Sequence, residues 1–507
     1  MSEAHALRRW LGSGLDAMKR SRGTLDQINV FPVADADTGT NVYLTLQEGN
    51  RAIARLPRDA SHRDVVAAFA RGALLGARGN SGVIVSQYLS SFLRVIDERG
   101  GLDAVDAHAI AQALAHAAQA AYSAVSTPVE GTILTVARSA ARSATDVSAT
   151  GGAREAVIVA AVEGARAELR RTQEQLPSAR EAGVVDAGAA ALVLQLEMLA
   201  ETIAGADALA ASPEVQWELP GRGHRVTSPG RLGHGDPNGG AYEVMFVAEP
   251  AEDVDTDELR ASVARDLEAI GDSVAVNAGH GVLHAHVHTD ESHRAVMVAS
   301  EVHARQVIVR SIAMSSFPDR TATGVVALTT CPGLAEPLAD AGAVVLVVPD
   351  PAALGQRGVM RAVRDASGAE AIVVAGTPEL LAAARALADR RGRPRLVVVD
   401  AAHEAQVIAA IAASALATPG EDVVGLMTDA VERTAVAQST GDALDDDLDR
   451  MVDGSTEVVT LILARGIDDS VGEAARASLE ARAPGADVVI YEGRQSWPPL
   501  LVGVERA

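Results

Sequence analysis

Two aspartates separated by one residue, Asp35 and Asp37, are the side chains of this sequence best suited to chemistry. They lie in the run NVFPVADADTGTN, which begins with Asn29. Carboxylates at i and i+2 of a loop can converge on a hard cation, and Mg²⁺ takes a few carboxylate oxygens and completes its shell with phosphate and water. Asn29 offers a further, neutral oxygen. The structural alternative is an Asx-rich turn that caps a helix starting near Asn41.

A second cluster, GARGNSG at 76–82, combines flexible backbone with the hydroxyl of Ser81 and the guanidinium of Arg78. It directly precedes the apolar helical run VIVSQYLSSFL, and the N-terminus of a helix attracts anions. A glycine-rich turn between two helices is the alternative interpretation. Because Lys19 is the only lysine, no GxxxxGK[ST] loop exists, so metal, arginine or backbone N–H groups must hold any phosphate.

The elements that must position these clusters are helices. From Ser61 to about Ala204 the apolar residues recur at three- and four-residue spacing, which predicts an all-helical region. Turns rich in glycine or containing proline interrupt this pattern, and each precedes a new helical segment, so the turns should lie at helix N-termini. These turns are at 76–82, 126–131, 150–152 and 184–188.

The length of 507 residues predicts three domains. We expect a helical nucleotide-binding domain at 1–208, which contains every nucleotide motif, and an exposed linker at 209–240, where Pro, Gly, His and Arg accumulate. A small α+β middle domain should follow at 241–320, and an α/β domain at 321–507. In the last domain short apolar runs alternate with Ala-rich helical stretches, as expected for a parallel sheet.

Composition excludes several classes of protein. A formal net charge of −23 disfavours nucleic acid as a partner. Cys331 is the only cysteine, so an intrachain disulfide and a CxxC metal knuckle are excluded. No signal peptide is recognisable, and no stretch reaches the ~18 apolar residues of a membrane span. We therefore expect a soluble, cytoplasmic protein without an integral membrane segment.

Four motifs in order resemble the ADP-binding L subunit of dihydroxyacetone kinases and, more closely, the FakA-type subunit of fatty acid kinase. They are Pro32-Val33 with Asp35 to Asn41, Gly76 to Gly82, Thr127 to Thr132, and Val184 to Gly188. The resemblance implies an eight-helix barrel that holds ATP or ADP and two Mg²⁺ ions at one end. It makes Asp35 and Asp37 metal ligands and places Asn29 near the third aspartate of the kinase L subunits.

The resemblance also assigns further site residues. Those expected to contact phosphate or the metal shell are Thr38, Gly39, Thr40, Asn41, Gly79, Asn80, Ser81 and Gly82. Those expected near the nucleotide are Thr132, Asp186 and Gly188. Arg78 is a candidate for neutralising charge in the transition state. Ala34, Ala36 and Val42 depart from the fatty acid kinase pattern, which weakens the assignment to that subfamily more than the nucleotide prediction.

The middle domain offers His286 and His288, which share one face of a predicted strand because they lie two residues apart. A zinc site would need another ligand; His284 shares that face, whereas Ala241 stands where related proteins often have a cysteine. Zinc binding and ordinary polar strand histidines both remain open.

The last residues, YEGRQSWPPLLVGVE, resemble the end of the same family, although the interior of the third domain is less faithful to it. The resemblance implies a kinase subunit that phosphorylates the carboxylate of a fatty acid held by a separate, transiently bound acyl-carrying protein. A homodimer is compatible with this interpretation. One alternative is the nucleotide-binding part of a dihydroxyacetone-type kinase. The other is a non-catalytic protein that binds ADP or ATP and regulates a partner.

Overall fold

The computed structural model describes residues 4–209, 240–251, 253–315, 323–366, 370–388, 395–418, 420–440, 443–467 and 469–507. Nearly all of the predicted linker lies outside these ranges. The chain divides into two compact units. Unit 1 comprises Met1–Gly239 and Glu249–His288, and unit 2 comprises Gly240–Ala248 and Thr289–Ala507.

Residues 4–209 are helical, as predicted. The helices are α1 (His5–Gln27), α2 (Thr38–Ala54), α3 (His62–Gly76), α4 (Gly79–Glu98), α5 (Ala107–Ser123), α6 (Ile133–Ala149), α7 (Arg154–Gln175), α8 (Pro177–Ala182) and α9 (Ala187–Ala204). Local signals explain several boundaries: the Asp106 side chain accepts the Ala109 N–H at 2.8 Å to start α5, and Gly183 ends α8 in the left-handed conformation.

Consecutive long helices pack against one another, and α9 returns to pack against α1. This contact is tight: the Trp10 indole donates to the Gln195 carbonyl at 3.1 Å, and the Gln195 amide donates to the Gly14 carbonyl at 3.2 Å. A Cβ at Gly14 would lie 2.3 Å from the Gln195 side-chain oxygen, so a larger residue there would displace that side chain. The helical domain is therefore confirmed, and the closed barrel stays a prediction.

Helices and strands alternate in the remaining part of the chain. The elements up to the end of the predicted middle domain are β1 (Tyr242–Ala248), α10 (Thr256–Glu268), β2 (Gly271–Gly279), β3 (Val282–Thr289), α11 (Ser292–Glu301), β4 (Gln306–Ser311) and α12 (Ile312–Ser315). Those that follow are β5 (Thr323–Thr329), α13 (Ala335–Asp340), β6 (Val344–Val347), α14 (Gln356–Asp365), β7 (Glu370–Ala375), α15 (Pro378–Ala388), β8 (Arg395–Val399), α16 (Glu404–Leu416), α17 (Val423–Arg433), β9 (Thr434–Ser439), α18 (Leu444–Met451), β10 (Thr456–Leu463), α19 (Asp469–Arg482), β11 (Asp487–Glu492) and β12 (Leu500–Arg506).

Helix α10 and the β2–β3 hairpin up to His288 belong to unit 1, together with the helical domain. The Ser126 N–H donates to the Val274 carbonyl at 3.2 Å, and Ala275 packs against Ala77 and Val83. The hairpin turn is also attached, since the Arg71 guanidinium donates to the His280 carbonyl at 2.6 Å. Compact units therefore cut through the segment predicted as one middle domain, because β2 packs on α4 rather than lying apart from it.

In unit 2, six strands follow one another in the order β1-β4-β6-β5-β7-β8. Strands β6, β5, β7 and β8 are parallel, as the apolar runs of the third domain predicted. Strands β1 and β4 pair antiparallel, as do β4 and β6. A separate four-stranded sheet, β11-β10-β12-β9, packs one face on α18 and α19. The predicted sequence of a helical region followed by sheet-containing regions is confirmed.

Among the residues described, one helix is long and apolar enough to span a membrane by length and composition. It is α9, and 67% of it is buried inside the protein. Residues of α9 such as Leu192, Val193 and Leu196 belong to the core of the helical domain. This packing accounts for its apolar composition.

Candidate functional site

Four helices begin at the motif-bearing turns and contribute to one cavity of about 740 Å³ in unit 1. Helices α4, α6, α7 and α9 start at Gly79, Ile133, Arg154 and Ala187, which confirms that the four predicted turns lie at helix N-termini. Helix α2 starts at Thr38, directly after the acidic loop. Six of the predicted site residues line the cavity: Thr38, Asn80, Ser81, Thr132, Asp186 and Gly188. Its apolar wall includes Phe31, Val33, Ile84, Val125, Ile133 and Leu134. An anionic ligand would find four helix N-termini here.

The N-termini of α2 and α4 lie side by side. The Thr38 and Ser81 hydroxyl oxygens are 3.4 Å apart, although the two residues are 43 positions apart in the sequence. Gly82 permits this approach, because a Cβ there would lie 2.4 Å from the Thr45 hydroxyl oxygen. The structure thus brings together the two clusters that sequence analysis identified separately.

The acidic loop, residues 29–37, directly precedes helix α2. The Asn29 amide donates to an Asp35 carboxylate oxygen at 2.6 Å, which leaves the amide oxygen as the atom able to bind a cation. Asp37 occupies the N-cap position of α2, but its side chain makes no capping hydrogen bond to the helix. Ala36, between the two aspartates, has a φ of 54°, a left-handed conformation that turns the loop. The side chains of Asn29 and Asp35 are thus joined in the loop that leads to Asp37 and to the cavity-lining residue Thr38.

The cap of α2 comes instead from Asp26, a residue that sequence analysis missed. Its carboxylate accepts the Thr40 N–H at 2.8 Å and the Thr40 hydroxyl at 2.7 Å. Burial, aided by the nearby Asp37, raises the pKa of Asp26, although the bonds to Thr40 and the charge of Arg22 oppose the shift. Asp26 therefore supplies a side-chain cap of α2 from outside the acidic loop, and the role of Asp35 and Asp37 as metal ligands stays a prediction.

Gly39 and Asn41 also support the start of α2. A Cβ at Gly39 would lie 2.3 Å from the Arg22 carbonyl oxygen, so this glycine allows α2 to pack against α1. The Asn41 carbonyl accepts the Thr45 hydroxyl at 2.7 Å. Neither residue, nor Thr40, is among those that line the cavity. Their predicted contacts with phosphate or the metal shell stay predictions.

Arg78 is buried and directed into its own loop. Its guanidinium donates to the Gly76 carbonyl at 2.9 Å and to the Ala77 carbonyl at 3.3 Å, and only 2% of the residue is exposed. It does not line the cavity. These two hydrogen bonds hold the turn before α4, and the predicted role of Arg78 in neutralising transition-state charge stays a prediction.

Gly79 and Gly82 form the first turn of α4 and lie outside the cavity lining. Gly79 has a φ of 53°, which an L side chain rarely adopts. The Thr45 hydroxyl accepts the Arg78 N–H at 3.2 Å and so connects this turn with α2. Both glycines thereby shape the backbone that presents Asn80 and Ser81 to the cavity.

Thr132 and Asp186 cap the two other helices of the site. The Thr132 hydroxyl accepts the Leu134 N–H at 3.3 Å, and Asp186 accepts the Ala189 N–H at 2.7 Å. Asp186 also accepts a backbone hydrogen bond from Ile133, so it joins α6 to α9. Burial raises the pKa of Asp186 to about 6, because the two N–H donors only partly offset the cost of removing the carboxylate from water.

This shift predicts a pH-dependent stability. The folded-state pKa of Asp186 lies above the usual value for an aspartate, so its favourable contribution is complete at acid pH and is lost as the pH rises through about 6. The Asp186→Asn variant has no such charge. Its free energy of unfolding relative to the native chain should therefore increase by up to about 3 kcal/mol between pH ~4 and pH ~7.5.

Chemical denaturation of both chains at several pH values measures this difference. Asp106→Asn is the matched control, since Asp106 caps α5 in the same way but from an exposed position. The difference measured for Asp106→Asn is subtracted at each pH, so that the effect specific to the buried Asp186 remains. A corrected difference for Asp186→Asn that does not change with pH would contradict the assignment.

A further part of the cavity wall comes from the segment that joins α10 to β2. Glu268, Gly271, Asp272, Ser273 and Val274 line the cavity. Residues beyond the predicted helical domain, which spans 1–208, therefore also contribute to the cavity wall. The signal that could have revealed β2 was the alternation of Val274 and Val276 with smaller residues in DSVAVNAG.

The predicted zinc ligands lie on β3. His286 and His288 are both buried, and their ring centroids are 4.9 Å apart. The Nδ1 atom of His286 is 3.1 Å from the Ser273 carbonyl oxygen. His284 on the same strand is also buried. The shared strand face is confirmed, and zinc binding stays a prediction.

A helical domain whose helix N-termini meet at a cavity beside clustered carboxylates defines a class of site suited to an anion accompanied by a cation. Comparison with protein families is consistent with that class. Residues 32–201 match the DAK2 domain model, residues 239–308 match the middle-domain model of FakA-like fatty acid kinase subunits, and residues 432–505 match the C-terminal model of the same family. Three regions of the chain therefore match, in order, a DAK2 domain and the middle and C-terminal domains of FakA-like fatty acid kinase subunits, which confirms the resemblance.

Individual proteins are also similar to this chain. The chain is 33% identical to "Protein YloV" of Bacillus subtilis over 281 residues, which are 55% of this chain and 50% of that protein. It is 31% identical over 281 residues to an uncharacterised protein of Staphylococcus saprophyticus, covering 55% of this chain and 49% of the relative. The chain thus spans about half the length of the curated relatives it matches. A dihydroxyacetone kinase from C. freundii, solved in complex with AMP-PNP and Mg²⁺, is similar at 20% identity and a TM-score of 0.31 over 40% of this chain and 35% of that one.

Proposed function

We propose that this chain is the nucleotide-binding subunit of an ATP-dependent kinase that phosphorylates the carboxylate of a fatty acid. A separate acyl-carrying protein presents the fatty acid, and the product is an acyl phosphate. The family matches support a kinase-type subunit, since the DAK2 model and the two FakA-like models follow one another along the chain. The proposal goes beyond these matches in two points: the acceptor is the carboxylate of a fatty acid, and a separate carrier protein presents it.

The observation that carries the proposal is the charge of the cavity. Among the described residues, its lining includes the carboxylates of Asp186, Glu268 and Asp272 but no lysine, arginine or histidine. A polyphosphate would be repelled by this wall unless a divalent cation accompanied it. The donor set of Asn29, Asp35 and Asp37 fits such a cation, because Mg²⁺ prefers a small number of carboxylate and neutral oxygens.

In this proposal Asp35, Asp37 and the Asn29 amide oxygen hold Mg²⁺, which when bound neutralises charge on the phosphates. The N-termini of α2 and α4 orient the phosphate chain through their N–H groups, and the adjacent hydroxyls of Thr38 and Ser81 donate further hydrogen bonds. The apolar wall around Ile84 and Leu134 excludes water from the transferring group.

A carboxylate acceptor suits this arrangement. Its pKa is about 4 to 5, so it is already ionised at neutral pH and needs no general base. One oxygen of the carboxylate forms a bond to the γ-phosphorus as the bond from that phosphorus to the bridging oxygen of ADP breaks. Positioning and charge neutralisation are then the main requirements for catalysis.

Mass spectrometry for acyl phosphate tests the proposal directly. The full chain is mixed with Mg-ATP and with acyl-loaded carrier proteins from the same genome, and ADP release is followed in parallel. Acyl phosphate formed in proportion to ADP supports the proposal. Turnover with dihydroxyacetone instead would favour a small-molecule kinase, and nucleotide binding without turnover on any acceptor would favour a regulatory protein.

A further inference from the structure

The segment between α10 and β2 supplies cavity-lining side chains from outside the DAK2 match. We infer that Glu268 and Asp272 recognise the nucleoside part of the nucleotide by accepting hydrogen bonds from its hydroxyl or amino groups. This inference rests on the proposed function. It assigns nucleotide specificity to a segment within the region that matches the FakA-like middle domain.

The segment is held firmly against the nucleotide motifs. The backbone of Val125 forms a β-bridge with Ala275, and the Ser126 N–H donates to the Val274 carbonyl. Ala275 packs against Ala77, the residue that precedes the turn into α4. The cavity wall at Asp272 is therefore fixed relative to Ser81, as a recognition element must be.

The opposite end of the same hairpin is fastened as well. Arg71 of α3 pairs with Glu249 and also donates to the His280 carbonyl at 2.6 Å. These contacts attach both the segment before α10 and the β2–β3 turn to the helical domain within unit 1. Two separate attachments restrict movement of the wall that lies between them.

The carboxylates of Glu268 and Asp272 determine which part of a nucleotide can bind at this wall of the cavity. Ionised carboxylates are acceptors only, and Glu268 and Asp272 would repel phosphate oxygens. The phosphates have a better place at the N-termini of α2 and α4, which contain Thr38 and Ser81. A nucleoside, in contrast, carries ribose hydroxyls and an exocyclic amino group, all of which donate hydrogen bonds. The wall thus complements the nucleoside and the helix N-termini complement the phosphates.

Replacing Glu268 or Asp272 by a neutral residue should change the affinity for Mg-ADP in opposite directions under two explanations. One is recognition of the nucleoside, and the other is general electrostatic repulsion. If the carboxylates only contributed negative potential, Asp272→Asn and Glu268→Gln would leave the affinity for Mg-ADP unchanged or raise it. If they accept hydrogen bonds from the nucleoside, each change should weaken Mg-ADP binding by about tenfold, because a charged acceptor is replaced by the weaker, neutral acceptor oxygen of an amide. Mg-tripolyphosphate, which has no nucleoside, should bind the variants at least as tightly as it binds the native chain.

Isothermal titration calorimetry on the full chain measures these affinities. Asp266→Asn is the matched control, since Asp266 lies on α10 two residues before Glu268, is exposed and does not line the cavity. It should bind Mg-ADP like the native chain. Thermal unfolding of each unliganded variant verifies the fold, and the exposed position of Glu268 makes its variant a safe second test if Asp272→Asn unfolds.

Analogues identify the donor group. In the native chain, 2′-deoxy-ADP, 3′-deoxy-ADP or IDP should bind about tenfold more weakly than ADP, and that loss should disappear in the variant that lacks the matching carboxylate. Equal binding of all four nucleotides, or an equal loss of Mg-tripolyphosphate binding in the variants, would overturn the inference. If the native chain binds Mg-ADP and both variants bind it equally well, this inference alone is overturned. Native chain that binds no Mg-nucleotide at all overturns the proposed function.

Discussion

Asp37→Asn is expected to lower the affinity of the chain for Mg-ADP by at least ~100-fold, and Asp35→Asn should have an effect of similar size. Each change removes one anionic ligand from a set that contains only two carboxylates and one amide. The lining of the cavity offers no lysine, arginine or histidine among the described residues, so no other group compensates for the lost attraction of the metal. Calorimetry with Mg²⁺ and ADP measures the loss, and chelation of Mg²⁺ should abolish binding to the native chain as well.

The fold should survive these substitutions. Asp37 makes no capping bond to α2, and Asp26 supplies the cap through Thr40. The unliganded Asp37→Asn chain should therefore keep the helical circular dichroism and a cooperative thermal unfolding transition. Asp16→Asn is the control for the change in net charge, since Asp16 is exposed on α1. Unchanged Mg-ADP affinity in both loop variants would refute the metal assignment.

The sequence was sufficient to predict features that depend on local chemistry. Helices α6 and α9 begin directly after Thr132 and Asp186, residues whose side chains cap them within three positions, so the signal lies in consecutive residues. The parallel strands β5 to β8 were predictable because strands buried on both faces are continuous apolar runs.

Features built from distant segments were not predictable in the same way. Asp26 caps α2 from 14 residues away, so its role depends on how α1 packs against α2. The side chain of Arg78 has the right charge for a catalytic role, but residue type does not determine its direction, and it donates to carbonyls of its own turn. The wall at Glu268 and Asp272 requires β2 to pack on α4, a contact without a local pattern.

Because of these non-local contacts, the region that matches the DAK2 model does not contain every residue that supports or lines the cavity. The DAK2 match covers residues 32–201 and thus includes Asp35, Ser81 and Asp186. It omits Asp26, which fixes the start of α2, and Asp272, which lines the cavity. A function inferred from the DAK2 match alone would therefore leave out the residue that caps α2 and one wall of the cavity.

The chain alone, supplied with Mg-ATP and free long-chain fatty acid, is expected to form acyl phosphate at least ~100-fold more slowly than with an acyl-loaded carrier. A fatty acid of ~16 carbons exposes about 15 methylenes and methyl groups to water, each worth about 0.8 kcal/mol when buried, or roughly 12 kcal/mol in all. The cavity of about 740 Å³ is of the size that holds one ligand of nucleotide dimensions. Once the nucleotide occupies it, the acyl chain needs a different apolar enclosure.

A carrier would bury the tail and present only the carboxylate to the γ-phosphate, near Thr38 and Ser81. Mass spectrometry of acyl phosphate, with and without carrier, measures the difference. A short, water-soluble carboxylic acid at high concentration separates presentation from chemistry: it should react slowly but without any gain from the carrier, because it has no tail to bury. The Asp37→Asn chain with loaded carrier should be inactive, which links the signal to this site. Rapid reaction of free long-chain fatty acid, unchanged by every carrier tried, would show that the chain itself encloses the acyl tail and that the requirement for a separate carrier is wrong.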